Sequence, residues 1–306
     1  MPIAIKKGLM YVENGRIRIA DIAEELGLST ATVSNVVHGK TKKISDETVK
    51  RVQELLEKRQ YIPNMAGILF AQNDSKIIGV VINDHEKYEG HTLEDQFISA
   101  SVNALAKEME KADKFLMLKV TGKWSEIPKF ASMWNMEGMV LIGFCEQDYK
   151  KLREQMHIPF VVYDGYMERF MGLKSELPGA ELMVIPLEQE ARTAFYREHL
   201  EEIKKYSAVF AVSDYYAMDF IQFLKNVGLS VSADMSVIGF DNVKKCEKFV
   251  PPLTTIKQDY SERAAMALQM LKQLKDGVCR EKNVLLPVTL IERDTVHDVK
   301  LHKKCS

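Results

Sequence analysis

The sequence has little cysteine, and its cysteines lie far apart. The 306-residue chain contains four, namely Cys145, Cys246, Cys279 and Cys305. None forms the short pairs that are typical of zinc sites, so we expect no metal and no cofactor. Few and dispersed thiols are typical of a reducing compartment, which argues against a secreted scaffold held together by disulfides.

Long apolar runs are also absent. No segment approaches the roughly 20 apolar residues that a membrane-spanning helix needs. Lys6 and Lys7 are not followed by an apolar run of signal-peptide length. We therefore expect a cytoplasmic protein without a membrane partner, rather than an exported solute-binding protein.

The usual signatures of an enzyme are missing as well. The sequence has no recognisable catalytic order of Ser, His and Asp and no glycine-rich phosphate-binding loop, and its seven histidines are scattered. Each histidine is more simply explained as a surface or packing residue. We therefore expect the protein not to be an enzyme.

Neither sign of charge dominates the chain. Its net charge is −1, with 28% charged and 46% hydrophobic residues, which is typical of soluble globular domains. The length predicts more than one domain. Residues 1–63 contain 11 Lys and Arg and 8 Asp and Glu, so their net charge is +3 and the net charge of the remainder is −4. A mildly basic first part suits contact with phosphates at one end of the molecule only.

Two short helical patterns with a turn between them follow residue 18. The first has apolar residues at helical spacing, namely Ile19, Ile22, Ala23 and Leu26. Gly27 then suits a helix C-terminus, because glycine tolerates a positive φ. Ser29 suits the N-cap of a second helix, which has Val33 and Val36 on its apolar face and ends by Gly39. This is the helix-turn-helix pattern, although a helical hairpin in an ordinary core has the same periodicity.

A third helical pattern completes a small domain. Ser45 suits its N-cap, and Asp46 and Glu47 suit its first turn. Its apolar face consists of Val49, Val52, Leu55 and Leu56. Three short helices can just bury a core, and Pro63 ends the pattern.

This order of motifs resembles the headpiece of the lactose-repressor (LacI/GalR) family of bacterial transcription regulators. The matching segments are residues 19–23, 27–29, 32–34, 45–48 and 61–64. The match is specific over residues 19–64 and continues more loosely to about Asp294. The resemblance implies an α/β protein with a three-helix helix-turn-helix headpiece, a hinge helix, and a two-lobed, periplasmic-binding-protein-like body with parallel sheets.

The resemblance also implies domain boundaries. We expect an N-terminal extension at 1–17, the DNA-binding domain at 18–63 and the hinge at 64–75. The effector-binding and dimerisation body is expected at 76–295 and a tail at 296–306. No role is assigned to the extension.

The second helix occupies the position of the family's recognition helix. Thr30, Ala31 and Asn35 match its base-reading positions, and asparagine suits a bidentate contact with adenine. Lys40 suits a phosphate contact, although a solvated basic loop is the alternative. The remaining candidate DNA contacts in this region are Ser29, Thr32, Ser34 and His38.

The hinge departs from the family pattern. Asn64 opens it, and the position of the leucine that the family inserts into the minor groove falls on Phe70, next to Leu69. Gly67 weakens the helix by up to about 1 kcal/mol relative to alanine. Packing of Leu69 and Phe70 between headpiece and body is the alternative to insertion into DNA.

The remainder of the chain alternates strand and helix patterns. Apolar runs predict strands at residues 77–82, 115–120, 139–143, 160–164, 208–214, 236–241 and 251–258, with a helix at 93–112. Parallel sheets place ligands at the carboxyl ends of their strands. Asp164, Asp214 and Asp241 stand there, and Asp84 follows the first strand, so all four are candidate effector contacts. Capping of the next turn or helix is the alternative for Asp164, Asp214 and Asp241.

One departure concerns the second lobe. Residues 168–173 match the family's Arg-x-x-Gly-Phe element, with Arg169 as the effector-binding arginine, but they follow Asp164 almost at once. Relative to the family, the chain is short by roughly 40 residues, about one βαβ unit. A rival alignment uses Arg192 but leaves too short a distance to Asp214. We expect the second lobe to lack part of its sheet and of its ligand wall.

The sequence thus predicts a homodimeric, sequence-specific DNA-binding repressor. Its partners would be a double-stranded DNA operator and a small effector, sugar-like or nucleoside-like, bound between the lobes. A DNA-binding dimer without an effector is one alternative. A small-molecule-binding protein without DNA regulation is the other.

Overall fold

The computed structural model describes residues 17–62, 75–88, 90–144, 146–163, 166–281 and 283–297, apart from the side chains of 87, 146–148 and 166–168. The chain divides into two compact units, Met1–Asn73 and Asp74–Ser306. The described part of the first unit is helical, and the second unit is α/β. No described helix is long and apolar enough to cross a bilayer.

The described part of the first unit contains three helices: α1 (Ile19–Leu26), α2 (Thr30–Val37) and α3 (Asp46–Lys58). Gly27 ends α1 in the left-handed conformation at φ 66°. The Ser29 hydroxyl accepts from the amide of Thr32 at 3.1 Å and so caps α2. Ser45 caps α3 in the same way. The predicted turn glycine and both caps are confirmed.

The apolar stripes of these helices meet in one core. Its buried members are Ile22, Ala23, Val33, Val36, Val52 and Leu55. Val33 and Val52 are completely inaccessible to solvent. Because the short helices bury their apolar faces against one another, the outer face of α2 stays in solvent while its backbone is held in place.

The first lobe of the second unit contains a four-stranded sheet in the order β2-β1-β3-β4, with every neighbouring pair parallel. The strands are β1 (Ile77–Ile82), β2 (Phe115–Val120), β3 (Gly138–Ile142) and β4 (Phe160–Tyr163). The connecting helices are α4 (Gln96–Lys111), α5 (Ile127–Met133) and α6 (Glu146–Gln155). Separate apolar clusters flank the sheet, which explains why its central strands are continuous apolar runs.

The second lobe contains a sheet in the order β5-β6-β7-β8. Its strands are β5 (Ala208–Phe210), β6 (Ser236–Phe240), β7 (Thr254–Gln258) and β8 (Val288–Ile291). The first three are parallel as predicted, but β8 is antiparallel to β7 and was not predicted. The side chains of β8 are mostly exposed, so it lacks the apolar pattern that identified the other strands.

Five helices surround this sheet and the segment before it: α7 (Tyr166–Glu176), α8 (Gln189–Glu198), α9 (Leu200–Ile203), α10 (Asp214–Asn226) and α11 (Lys245–Lys248). A sixth, α12 (Tyr260–Lys275), follows β7 and packs on α4 in the core of the first lobe. Between β4 and β5 the described residues form helices joined by turns and irregular segments, and no strand. This is the region where the sequence predicts a missing βαβ unit.

Candidate functional site

The exposed face of α2 carries the three residues that the sequence places in base-reading positions. Thr30, Ala31 and Asn35 are all exposed. Thr30 and Ala31 form the first turn of the helix, and Asn35 follows one turn after Ala31. Lys40 is also exposed, just beyond Gly39. The arrangement presents one amide and two small side chains to a flat or grooved partner.

The other residues of this helix that the sequence predicts to contact DNA form hydrogen bonds within the helix. The hydroxyls of Ser29 and Thr32 lie 2.8 Å apart, and Ser29 is the N-cap. Nδ1 of His38 donates to the carbonyl oxygen of Ser34 at 2.6 Å, while its buried Nε2 has no hydrogen-bond partner among the described residues. Ser34 and His38 are both half-buried. The ring of His38 therefore folds back on the end of its own helix, and its contact with DNA stays a prediction.

Four predicted contacts lie outside the described residues. They are Asn64, Leu69, Phe70 and Asp164. Their roles stay predictions from the sequence.

A cavity of about 790 Å³ lies between the two lobes of the second unit. The first lobe contributes residues that follow β1 and β3 and the start of α4, and the second lobe contributes α10 and the loop after β6. Its polar and aromatic lining includes Asn83, His85, Tyr88, Glu94, Asp95, Phe97, Arg169, Tyr215, Asp219, Asp241 and Lys245. Strand ends and helix starts meet here, as expected for ligand sites in parallel α/β folds.

Arg169 and Asp241 form a buried ion pair in the wall of this cavity. Nη1 of Arg169 lies 3.2 Å from Oδ1 of Asp241 and donates to the carbonyl oxygen of Val212 at 2.5 Å. The guanidinium also stacks on the ring of Phe240, 4.0 Å from its centroid. Asp241 accepts a second hydrogen bond from Nε2 of Gln258 at 2.7 Å. Both predicted effector residues therefore lie at the cavity, and they are already paired with each other.

Burial raises the pKa of Asp241 to about 7, against the opposing charge of Arg169. The nearby carboxylates of Asp214 and Asp95 raise this pKa further, and the hydrogen bond from Gln258 opposes them. Desolvation prevails because the carboxyl group is almost completely enclosed. Near neutral pH this side chain therefore exchanges between a charged acceptor and a neutral donor.

The structure places two other predicted effector residues away from the cavity. Asp214 is completely buried, and its oxygens accept from the Thr255 hydroxyl at 2.5 Å and from the Val243 amide at 2.8 Å. It ties the start of α10 to β7 and to the loop after β6, so we correct its assignment to a structural one. Asp84 is exposed and accepts from Thr92, while its neighbours Asn83 and His85 line the cavity.

A glycine allows the close approach of Asp214 to β6. A Cβ on Gly239 would lie 2.2 Å from Oδ1 of Asp214 and 3.0 Å from Leu253. We expect Gly239→Ala to lower the free energy of unfolding by about 1–3 kcal/mol, because packed interiors adjust poorly to added atoms. Urea unfolding would measure this change. Gly172→Ala is the matched control, since a Cβ there meets nothing within 4 Å; equal effects of the two changes would contradict the expectation.

The rival candidate Arg192 does not line the cavity. It is completely buried, and its Nε donates to Oδ2 of Asp219 at 2.7 Å. Its Nη1 donates to the carbonyl oxygen of Leu187 at 2.6 Å. Arg192 therefore orients Asp219, which does line the cavity. The geometry favours Arg169 as the arginine nearest to a ligand.

Sequence reasoning missed much of the cavity lining. Asn83 follows β1 and Phe144 follows β3, so the rule for strand ends would have found both. Phe97 and Tyr215 come from the first turns of α4 and α10 and have no local signal of their own. The cavity combines carboxylates, an arginine and aromatic faces, which suits a polar organic ligand. The described residues contain no cluster suited to a metal ion.

Two family models match the chain. The model of bacterial regulatory proteins, lacI family, covers residues 18–64, and that of the periplasmic binding protein-like domain covers residues 162–296. The first range contains α1 to α3, and the second contains the whole second sheet.

Curated relatives extend the match over most of the chain. It is 25% identical to the HTH-type transcriptional repressor PurR of Vibrio cholerae serotype O1 (strain M66-2), over 92% of this chain and 98% of the relative. It is 26% identical to PurR of Actinobacillus pleuropneumoniae serotype 3 (strain JL03), over 83% and 89%. The alignment with the Vibrio relative spans 335 positions, and this chain supplies a residue at about 282 of them, which is 92% of its 306 residues. About 50 positions of the alignment therefore have no residue from this chain.

Solved structures show the same fold. The lac repressor bound to ONPG in the repressed state has a TM-score of 0.71 and 21% identity, covering 92% of this chain and all of that one. The complex of the transcriptional regulator CelR with cellobiose has a TM-score of 0.61 and 17% identity, with the same coverage.

Proposed function

We propose that this chain is a sequence-specific transcriptional repressor of the LacI family, since residues 18–64 match that family's model and relatives named as transcriptional repressors align with most of the chain. The observation that carries this proposal is the outer face of α2. It exposes Thr30, Ala31 and Asn35 on a helix that is capped at Ser29 and anchored through Val33. A short, rigid helix with small polar side chains fits the major groove of DNA.

The cavity between the lobes is the proposed effector site. Its volume of about 790 Å³ lies in the range of small-molecule sites. The carboxylates of Asp95, Asp219 and Asp241 suit the hydroxyl groups of a sugar-like or nucleoside-like ligand, and Tyr215 offers an aromatic face. The ligands of two related structures, ONPG and cellobiose, are of the sugar class.

Control of DNA binding would follow from population shift. An effector that contacts both lobes favours one angle between them, and a homodimer couples that angle to the spacing of its two α2 helices on an operator in the cytoplasm. The effector changes operator affinity only by its differential affinity for the two forms. A dimeric lac repressor bound to its operator is among the related structures.

Asn35→Ala tests the DNA-reading surface. We expect operator affinity to fall about 10–100-fold, because a bidentate contact to a base is worth about 1–3 kcal/mol. The operator is first selected from random DNA fragments with the unaltered protein, and affinity is then measured by mobility shift at one fixed salt concentration. Gln53→Ala, on the exposed face of α3, is the matched control. No selection of any sequence by the unaltered protein would refute the proposed function.

The shortened second lobe favours one alternative, a DNA-binding dimer that responds to no effector. Calorimetry with a panel of sugars and nucleosides distinguishes the two, combined with operator shifts in the presence of each ligand. A ligand that binds and changes operator affinity supports the repressor with an effector. Operator binding that no ligand of the panel alters supports the alternative.

A further inference from the structure

The second sheet has different surroundings on its two faces. On one face, Val209 and Val237 pack with α10 in an apolar cluster. On the other, Phe210, Ile238 and Phe240 line a second cavity of about 880 Å³. Parallel sheets in α/β proteins ordinarily carry helices on both faces. This cavity therefore lies on the face of the sheet opposite α10.

Elements from three directions enclose the cavity opposite the sheet. Helix α7 contributes Gly172 and Leu173, and α12 contributes Met266 and Met270. The segment before β8 contributes residues 284–288, of which Leu285 is 94% exposed. A volume of about 880 Å³ and a mostly apolar lining are those of a small-molecule cleft.

Polar side chains line only part of this cavity. The guanidinium of buried Arg263 lies 4.2 Å from the ring centroid of Tyr163, and its Nη1 donates to Oε1 of Gln258 at 2.7 Å. The hydroxyl of Tyr163 is buried and has no hydrogen-bond partner among the described residues. Asp259 also lines the wall, but it is exposed and its carboxylate caps α12.

The charges at this end favour an anion. Burial lowers the pKa of Arg263 to about 10, which shows that its positive charge lies in poorly solvated surroundings. Burial also raises the pKa of Tyr163, so its hydroxyl stays a neutral donor. Arg169 lines this cavity as well as the one between the lobes, but its charge is paired with Asp241, so Arg263 is the cation on which the proposal rests. A carboxylate placed here would be stabilised by Arg263 and would offer the Tyr163 hydroxyl an acceptor.

We propose that this second cavity binds an amphipathic monocarboxylate, of the fatty-acid class, with its chain along Phe210, Phe240 and Leu173 and its carboxylate at Arg263. The apolar walls would exclude water from the chain. The buried guanidinium would select a charged carboxylate over a neutral head group.

The test uses the full chain with dodecanoate, below its micelle concentration, as the probe in calorimetry. Dodecanoate is expected to bind at one site per chain. Gly172→Trp is expected to abolish binding, because a Cβ at Gly172 meets nothing within 4 Å and the added ring would fill the cavity. Met171→Trp is the matched control, since Met171 is 58% exposed and is not part of the lining.

The head-group arm compares dodecanoate with dodecan-1-ol in the Arg263→Gln variant. Carboxylate binding is expected to weaken about tenfold or more while alcohol binding changes little, because a charge-assisted hydrogen bond is worth about 1.5–3 kcal/mol. Thermal melting checks that each variant is folded. If Arg263→Gln is not folded, the comparison of Gly172→Trp with Met171→Trp decides whether the cavity binds dodecanoate.

Two results would overturn the proposal. They are no binding of dodecanoate to the unaltered chain, and equal binding to both tryptophan variants. If the unaltered chain does not bind dodecanoate and Gly172→Trp changes the sedimentation of the chain, this face is assigned to contact between copies of the chain instead.

Discussion

Replacing Arg192 with methionine is expected to lower the free energy of unfolding by about 3–5 kcal/mol, because it leaves a carboxylate without its buried partner. Arg192 has no solvent-accessible surface, and its bond to Asp219 is one of several. Its guanidinium also satisfies the carbonyl oxygens of Leu187 and Pro186 and stacks near the ring of Tyr216. Methionine restores the bulk of the side chain but none of these donors.

Urea unfolding followed by tryptophan fluorescence measures this effect. Both tryptophans of the chain, Trp124 and Trp134, lie in the same unit as Arg192. Arg197→Met is the matched control, because Arg197 lies on the same helix but is exposed. A shift in Arg192→Met no larger than in the control would show that the ion pair contributes little net stability. The double change to Arg192→Met and Asp219→Leu should recover part of the loss, since it removes the stranded charge as well.

The second large effect is a dependence of stability on pH that originates at Asp241. Its pKa is raised from 3.8 to about 7 in the folded protein, mainly by burial. Between these two values the folded state binds more protons than the unfolded state, so stability falls as the pH rises through this range. A difference of about three pKa units corresponds to about 4 kcal/mol between pH 4 and pH 8.

Asp241→Asn isolates this contribution from those of other groups. The variant should lose the part of the pH dependence that lies between about pH 4 and pH 7, because asparagine does not titrate. Unfolding free energies measured at steps of one pH unit give the difference between the two proteins. Asp276→Asn, at an exposed carboxylate after α12, serves as control. Parallel curves for the unaltered chain and Asp241→Asn would refute a raised pKa at Asp241.

The strand ends show where sequence reasoning reaches its limit. The same rule selected Asp214 and Asp241, since each follows an apolar run. In the structure Asp241 lines the cavity beside Arg169, whereas Asp214 starts α10 and bonds to Thr255. The local sequence suits a side chain that lines the cavity and one that is buried in the lobe equally well. The direction of each side chain depends on which strand lies beside it, and that is a property of the assembled sheet.

The cavity beside the second sheet also could not be predicted from local sequence patterns. The shortening after β4 was predicted from the early arrival of Arg169 in the sequence. The apolar cavity bounded by Phe210 and Phe240, with Arg263 at one end, depends on the packing of α12 on the first lobe. No local pattern reports contacts between segments so far apart in sequence.

What the sequence by itself determined is therefore local. Apolar spacing and the caps at Gly27, Ser29 and Ser45 specified the three helices of the first unit, because backbone preference and hydrogen bonding act within a few residues. Only the tertiary structure decided that Arg169 pairs with Asp241 and that Asp214 is sealed in the second lobe. Those outcomes rest on burial and on the desolvation of charges, which exist only after distant segments have packed together.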